Sequence, residues 1–177
     1  IARQPRQAFL HALDPAWPDM SDVALIQAAD AWLWPLLEGA RSLEAVDDGR
    51  LADGLRGLIP WDQQRRLDEL APARLTTPLG SAGIDYAAEG GPRVDIRVQE
   101  LFGVTTHPTV GGGRVPLTLA LLSPARRPVQ VTKDLPGFWA GSWAAVRAEM
   151  RGRYPRHPWP ENPAEAQATN RAKPRGT

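Results

Sequence analysis

The sequence predicts an α+β protein, a small helical bundle followed by short antiparallel strands and a last helix, and three observations predict it. Apolar residues recur at helical spacing as far as Leu70, and the composition turns to Thr, Gly and β-branched residues after Leu70-Ala71-Pro72. Val94, Ile96 and Val98 then alternate with Arg93, Asp95 and Arg97, one face inward and one wet. Ser21 as N-cap and Asp22 as early acid start a first helix over about 22–34, carried by Val23, Leu25, Ile26, Ala29, Trp32 and Leu33 until Pro35 interrupts it. Ser42 is expected to cap a short helical turn, and a second piece spans 51–58. Pro60 occupies the first turn of a third helix, with Trp61, Leu67 and Leu70 expected on one face.

Residues 74–78, 84–87 and 94–98 read as short strands separated by Gly80-Ser81 and by Glu89-Gly90-Gly91-Pro92. A helical turn over 100–102 closes at Gly103, and 115–122 forms a hairpin with 129–132 around Ser123, Pro124, Arg126 and Pro128. About five strands is the count of a small barrel. Asp134 caps a helix carrying Phe138, Trp139, Trp143, Val146 and Met150 that ends near Gly152. Prolines 155, 158, 160 and 163 preclude regular structure beyond it, and NRAKPRGT reads as a mobile basic tail.

Composition excludes several function classes. With 177 residues, 42% of them hydrophobic and seven Trp, the chain can bury a core, so it is not a disordered protein. Without cysteine it has no disulfide, no thiolate chemistry and no cysteine-ligated metal, which fits a cytoplasmic location. No apolar run approaches the roughly 18–20 residues of a bilayer span, and no signal-peptide pattern opens the chain, so no membrane partner is expected. Ile1 in place of Met is expected of a piece of a longer protein. Charge is uneven: residues 1–72 hold seven arginines and twelve acids, whereas 73–177 hold fourteen Lys+Arg and eight acids. A basic half of that kind suits a polyanion.

The densest candidate region is RPVQVTKDLPGFWAGSWAAVRAEMRGRYPRHPWPENP, which interleaves aromatic rings with arginines. Arg126, Arg127 and Lys133 surround the predicted hairpin, Arg147, Arg151 and Arg153 lie on or after the last helix, and Arg156 follows. Together they form a candidate phosphate-tracking surface. The plainer alternative is a solvated basic face, or arginines paired with the acidic half. Trp139 and Trp143, four apart and expected on one helix face, read with Phe138 as core that glues helix to barrel. Tyr154, Pro155, Pro158, Trp159 and Pro160 form a stiff strip whose rings clamp onto the domain, or alternatively dock on a partner protein. Gly111, Gly112 and Gly113 precede a strand, so they read as a hairpin loop rather than a phosphate cradle. His11, His107 and His157 are too scattered for a metal site, and Ser81, His107 and Asp85 lack the nucleophile-elbow pattern of a catalytic triad.

Beyond these features, WLWPLLEGARSL, DELAPARLTTPLGS, RVQELFGVTTHPTVGGGRVP, VPLTLALLSPARRPVQVTKDLPGFW and EMRGRYPRHPWPENP resemble the C-terminal region of bacterial HrpB-type ATP-dependent helicases. The resemblance covers about residues 29–175, and the first twenty or so match only weakly. Such proteins are similar to DEAH-box RNA helicases, which implies two RecA-like motor lobes, a winged helix, a helical bundle and an oligonucleotide-binding-type barrel, in that order. It implies that 1–72 is a helical bundle segment and that 73–135 is a five-stranded antiparallel barrel of the oligonucleotide-binding type. Residues 136–177 would then be a family-specific helix and extended basic tail. No GxxxxGK[ST] loop or DEAH box occurs, so no catalytic residue is expected here, and ATP with Mg²⁺ belongs by resemblance to a parent helicase. The expected role is a non-catalytic accessory part that holds single-stranded RNA or other nucleic acid and couples it to motor lobes in cis. The alternative is an interaction or structural module that recruits a protein partner or sets the oligomeric state.

Overall fold

Helix formation begins well before Ser21: α1 runs over Gln4–Leu13, a stretch the apolar spacing did not single out. The computed structural model describes residues 4–38 and 46–172, so the turn expected at Ser42 and the basic tail beyond 172 lie outside the described residues. The chain divides into two compact units, Ile1–Pro72 and Ala73–Thr177.

In the first unit the stretch expected as one helix is three: α2 (Asp22–Gln27), α3 (Ala29–Trp32) and α4 (Trp34–Leu37). Ser21 caps α2, its Oγ accepting from Ala24 N at 3.3 Å, and the Trp32 indole donates to Leu25 O at 2.9 Å across the first break. Pro35 opens α4 rather than ending a helix, since a first-turn N–H has no intrahelical acceptor to lose. Asp47 caps α5 (Asp48–Gly57), and Pro60 precedes α6 (Trp61–Leu70).

On α6 Leu67 is 4% exposed but Trp61 is 74% exposed, so the expected shared face is corrected. Six residues span about one and two-thirds turns and carry the two side chains to different sides. Leu10, Trp17, Met20, Ile59, Leu67 and Ala71 are buried in this unit. Arg6 is buried with them, its Nε donating to Ala71 O at 2.5 Å and its Nη2 to Leu67 O at 3.4 Å and Asp68 Oδ1 at 2.5 Å. The guanidinium thereby supplies a donor to Ala71 O, adds to the Ala71 N–H already on Leu67 O at 2.9 Å, and ties α1 to α6.

The second unit corrects the expected five-stranded antiparallel barrel. Seven short strands form three small sheets, none closed among the described residues: β1 (Arg74–Thr77) with β2 (Gly80–Gly83), β4 (Thr109–Val110) with β5 (Val115–Pro116), and a three-stranded sheet in the order β3-β6-β7. In that sheet β3 (Arg93–Arg97) runs parallel to β6 (Thr118–Leu122), and β7 (Pro128–Thr132) antiparallel to it. A parallel pair requires a crossover, here supplied by a 3₁₀ turn over Val98–Leu101, a bend at Gly103 and the β4–β5 hairpin.

The strand expected at 115–122 divides at Leu117, whose N–H bonds Pro108 O at 3.0 Å, while the next amide, Thr118 N, bonds Pro92 O at 2.8 Å. The strand expected at 84–87 reduces to a bridge between Asp85 and Arg93, because the two-residue turn at Pro78-Leu79 sets Thr77 opposite Gly80 and places pairing earlier. Gly111, Gly112 and Gly113 form the β4–β5 loop with φ of 64°, 67° and 87°, a run of left-handed backbone that side chains resist.

The last helix is also two, α7 (Leu135–Ala140) and α8 (Trp143–Arg153), broken at Gly141-Ser142. Asp134 caps α7, its Oδ1 accepting from Gly137 N at 3.0 Å. Among the described residues no helix is long and apolar enough to cross a membrane.

Candidate nucleic-acid interface

The β6–β7 turn is held by its own polar groups. Ser123 O accepts from Arg126 N at 2.8 Å, Ser123 N donates to Arg127 O at 2.8 Å, and Ser123 Oγ accepts from Arg127 N at 3.2 Å. Arg126 sits at φ 59°, the one described non-glycine residue in left-handed backbone, a conformation that costs a side chain about 1–2 kcal/mol. Ser123 Oγ also lies 3.2 Å from the Tyr154 hydroxyl, which joins this turn to the end of α8. The register pairs Arg97 with Leu122, so the end of β3 arrives at the same place.

The predicted basic residues therefore divide into groups. Arg126 and Arg127 on the turn and Arg153 and Arg156 flanking Tyr154 belong to the two segments that the Ser123–Tyr154 contact joins at one end of the three-stranded sheet. Lys133 follows the opposite end of β7, five residues or roughly 17 Å of strand away, where its Nζ donates to Gly90 O at 3.2 Å. Arg147 is half-buried, its Nε donating to Trp159 O at 2.9 Å and its Nη2 to Glu161 at 3.1 Å, so it anchors the tail. Arg153 pairs with Glu149 at 2.8 Å. Among the described residues Arg126, Arg127 and Arg151 are exposed and enter no ion pair.

Trp139 and Trp143 lie on separate helices, not on one helix face, yet their rings meet edge to face at 5.5 Å with both buried. Phe102 and Phe138 complete the cluster, at 5.6 Å and 6.1 Å from Trp143. Trp159 is 7% exposed and packs on Trp143 at 6.3 Å. Its indole N–H donates to Tyr154 O at 2.9 Å, and the Trp143 indole donates to Pro160 O at 3.0 Å. Further along, Pro163 O accepts from Gly103 N at 2.9 Å and Gln99 O from Thr169 N at 3.2 Å, so the strip after α8 lies against its own unit.

His107 is locked by Leu135 N at 3.0 Å on Nδ1 and Leu117 O at 2.8 Å on Nε2, which fixes the Nε2–H tautomer. Ser81 Oγ accepts from Arg74 Nε at 2.7 Å. Both are engaged in structural bonds.

Three residues outside the predicted set, Arg97, Gln99 and His157, join the same end of the sheet. Gln99 is 1% exposed, and its Nε2 lies 3.3 Å from His157 Nδ1. Burial, then the charges of Arg156 and Arg97, lower the His157 pKa below its ordinary 6.5. Neither Arg97 nor Gln99 carries a local sequence signal, because what places them is the parallel register and the tail returning over the 3₁₀ turn.

The same architecture occurs in known proteins. A family model described as ATP-dependent helicase C-terminal, HrpB_C, matches residues 32–163. The chain is 46% identical over 158 residues to the ATP-dependent RNA helicase HrpB of Escherichia coli K12, covering 89% of this chain and 20% of that protein. It is similar to a crystal structure of the E. coli DExH-box NTPase HrpB, with a TM-score of 0.85, 43% identity and coverage of 97% of this chain and 22% of that one. A crystal structure of the E. coli DEAH/RHA helicase HrpB gives a TM-score of 0.68 and 41% identity, over 89% of this chain and 20% of that one. The chain thus spans about a fifth of the length of these relatives.

Proposed function

Because the chain belongs to the HrpB-type ATP-dependent helicase C-terminal family, we propose that it is a non-catalytic accessory region that holds single-stranded RNA and couples it to motor lobes in cis. The observation that carries this reading is the gathering of exposed Arg126 and Arg127 with Arg153 and Arg156 at one end of the sheet, joined through Ser123 and Tyr154. Arg126 adds to it, since a long cationic side chain is kept where glycine would relieve backbone strain. Such a surface binds phosphates without reading base identity, and affinity falls steeply with salt as counterions are released. ATP and Mg²⁺ are assigned to the motor lobes, because the sequence holds no phosphate loop of the GxxxxGK[ST] type. A cytoplasmic site of action belongs to the same reading.

The rival, a protein-docking module built on the aromatic strip, has less to stand on, since Trp159 is buried against Trp143. The exposed aromatic rings left to it, Trp34 and Trp61, are in the first unit and not on the strip.

The test is titration of fluorescent single-stranded RNA at low and moderate salt. Replacing Arg126, Arg127 and Arg151 by Glu is expected to abolish salt-sensitive binding, and Lys133→Glu alone to spare most of it. Each phosphate deprived of its cation should flatten the salt slope by roughly 0.7. Equal effects of the triple variant and of Lys133→Glu, or no binding at low salt, would overturn the reading.

A further inference from the structure

Between α8 and the strip that follows it lies a cleft of about 380 Å³ lined by Arg147, Arg151, Pro155, His157, Pro158 and Trp159. Its floor is polar and fixed. The His157 ring stands between Tyr154, 6.4 Å away and edge on, and Trp159, 6.5 Å away. Its Nδ1 faces the amide of fully buried Gln99, which leaves Nε2 as the nitrogen available to a ligand. Two buried polar atoms near this ring have no partner: Gln99 Oε1 and Arg97 Nε.

The 3₁₀ turn brings the neutral amide of Gln99 to the ring, and the other elements around the cleft bring positive charge. Arg97 comes from β3, Arg151 and Arg147 from α8, and Arg156 from the strip itself, while the one acid paired here, Glu161, is taken by Arg147. A neutral imidazole among guanidinium groups, beside a cleft larger than a water molecule, is arranged to receive an oxyanion.

We propose that this cleft is a phosphate seat, with Arg151 and the Nε2–H of His157 as donors and with Arg97 and Arg156 supplying the field that retains the anion. The inference deepens the RNA reading by naming one phosphate position, and it extends to free inorganic phosphate, which offers the same tetrahedral oxygens. Binding and protonation are then linked. A bound anion offsets the cations that oppose a proton on His157, so phosphate raises the midpoint at which this histidine titrates.

The experiment is NMR titration of the histidine rings of the intact chain, in inorganic phosphate and in chloride at equal ionic strength. Phosphate is expected to raise the His157 midpoint by about one pH unit, equivalent to about tenfold tighter phosphate binding by the protonated ring. His11 and His107 should not follow, and Arg151→Glu, an exposed position, should remove the effect. An unchanged His157, or equal movement of all three histidines, overturns the seat.

A second arm adds single-stranded RNA in place of phosphate. RNA that binds through Arg126 and Arg127 without moving the His157 resonances would refute the seat and leave the RNA reading intact. Inorganic phosphate that moves His157 when RNA does not bind would support the seat and refute the RNA reading.

Discussion

Trp159 packs the strip after α8 into the core of the second unit, and Trp159→Ala tests that directly. The ring is 7% exposed, packs on Trp143 at 6.3 Å and donates to Tyr154 O at 2.9 Å. Truncating a buried aromatic of this size costs about 3–5 kcal/mol, through lost transfer energy and the cavity left behind. Trp159→Phe keeps one ring in place, gives up part of the indole's packing and removes its N–H from Tyr154 O, which still accepts from His157 N at 3.1 Å, so the hydrogen bond itself accounts for about 1 kcal/mol of the loss. The gap between the two variants therefore measures packing.

Hydrogen exchange at the β6 amides of Leu119 and Leu121, both buried in the sheet, reports the opening of this unit without assuming that the whole chain unfolds in one step. Trypsin cleavage after Arg153 and Arg156 reports release of the strip. Trp159→Ala is expected to lower β6 protection by about 3 kcal/mol or more and to speed cleavage at both sites as the strip is released. Protection within about 0.5 kcal/mol of wild type, with unchanged cleavage, would show that the strip is not built into the core.

Other side chains carry further expected outcomes. Arg6→Ala should destabilise the first unit by about 2–3 kcal/mol, because Ala71 O and Leu67 O lose a charged donor. Arg6→Lys should recover only part of that, which urea unfolding can measure. Gly137→Ala would drive a Cβ into the Asp134 carboxylate and disrupt the α7 cap, so it should destabilise despite better helix propensity. The penalty should shrink in an Asp134→Ala background, and an unchanged penalty would point away from the cap. Arg126→Gly is expected to leave stability within about 1 kcal/mol of wild type while weakening RNA binding, since it relieves φ 59° and removes the charge. His157 has a folded pKa below the 6.5 it holds in the unfolded chain. The unfolded state therefore binds the proton first as pH falls below 6.5, so stability drops on acidification through that value and recovers as pH rises. His157→Gln should flatten this dependence in pH-resolved urea unfolding, and an undiminished slope would assign it to other groups.

Ser21 and Asp134 cap the helices they were expected to cap, and Phe138, Trp139, Trp143 and Met150 are buried as their composition and spacing implied. These are short-range matters, settled by a hydroxyl or carboxylate beside free amides and by the cost of leaving large rings in water. The helix breaks at Ala28, Leu33 and Gly141 were not legible, because an apolar period continues across a break when the pieces pack on a common core.

Strand direction was the larger loss. Alternation along Val94, Ile96 and Val98 has a period of two whether the partner runs parallel or antiparallel, so it carries no information about β6. The sequence by itself determined the α+β composition, the change at Pro72, the family, the buried aromatic set and the basic character of the second part. Only the tertiary structure decided that β3 pairs in parallel with β6, that Lys133 stands apart from Arg126, and that Arg97, Gln99 and His157 meet beside one cleft. The physical reason is range: caps, turns and hydrophobic period act within a few residues, whereas register and charge placement depend on which distant segment closes the loop.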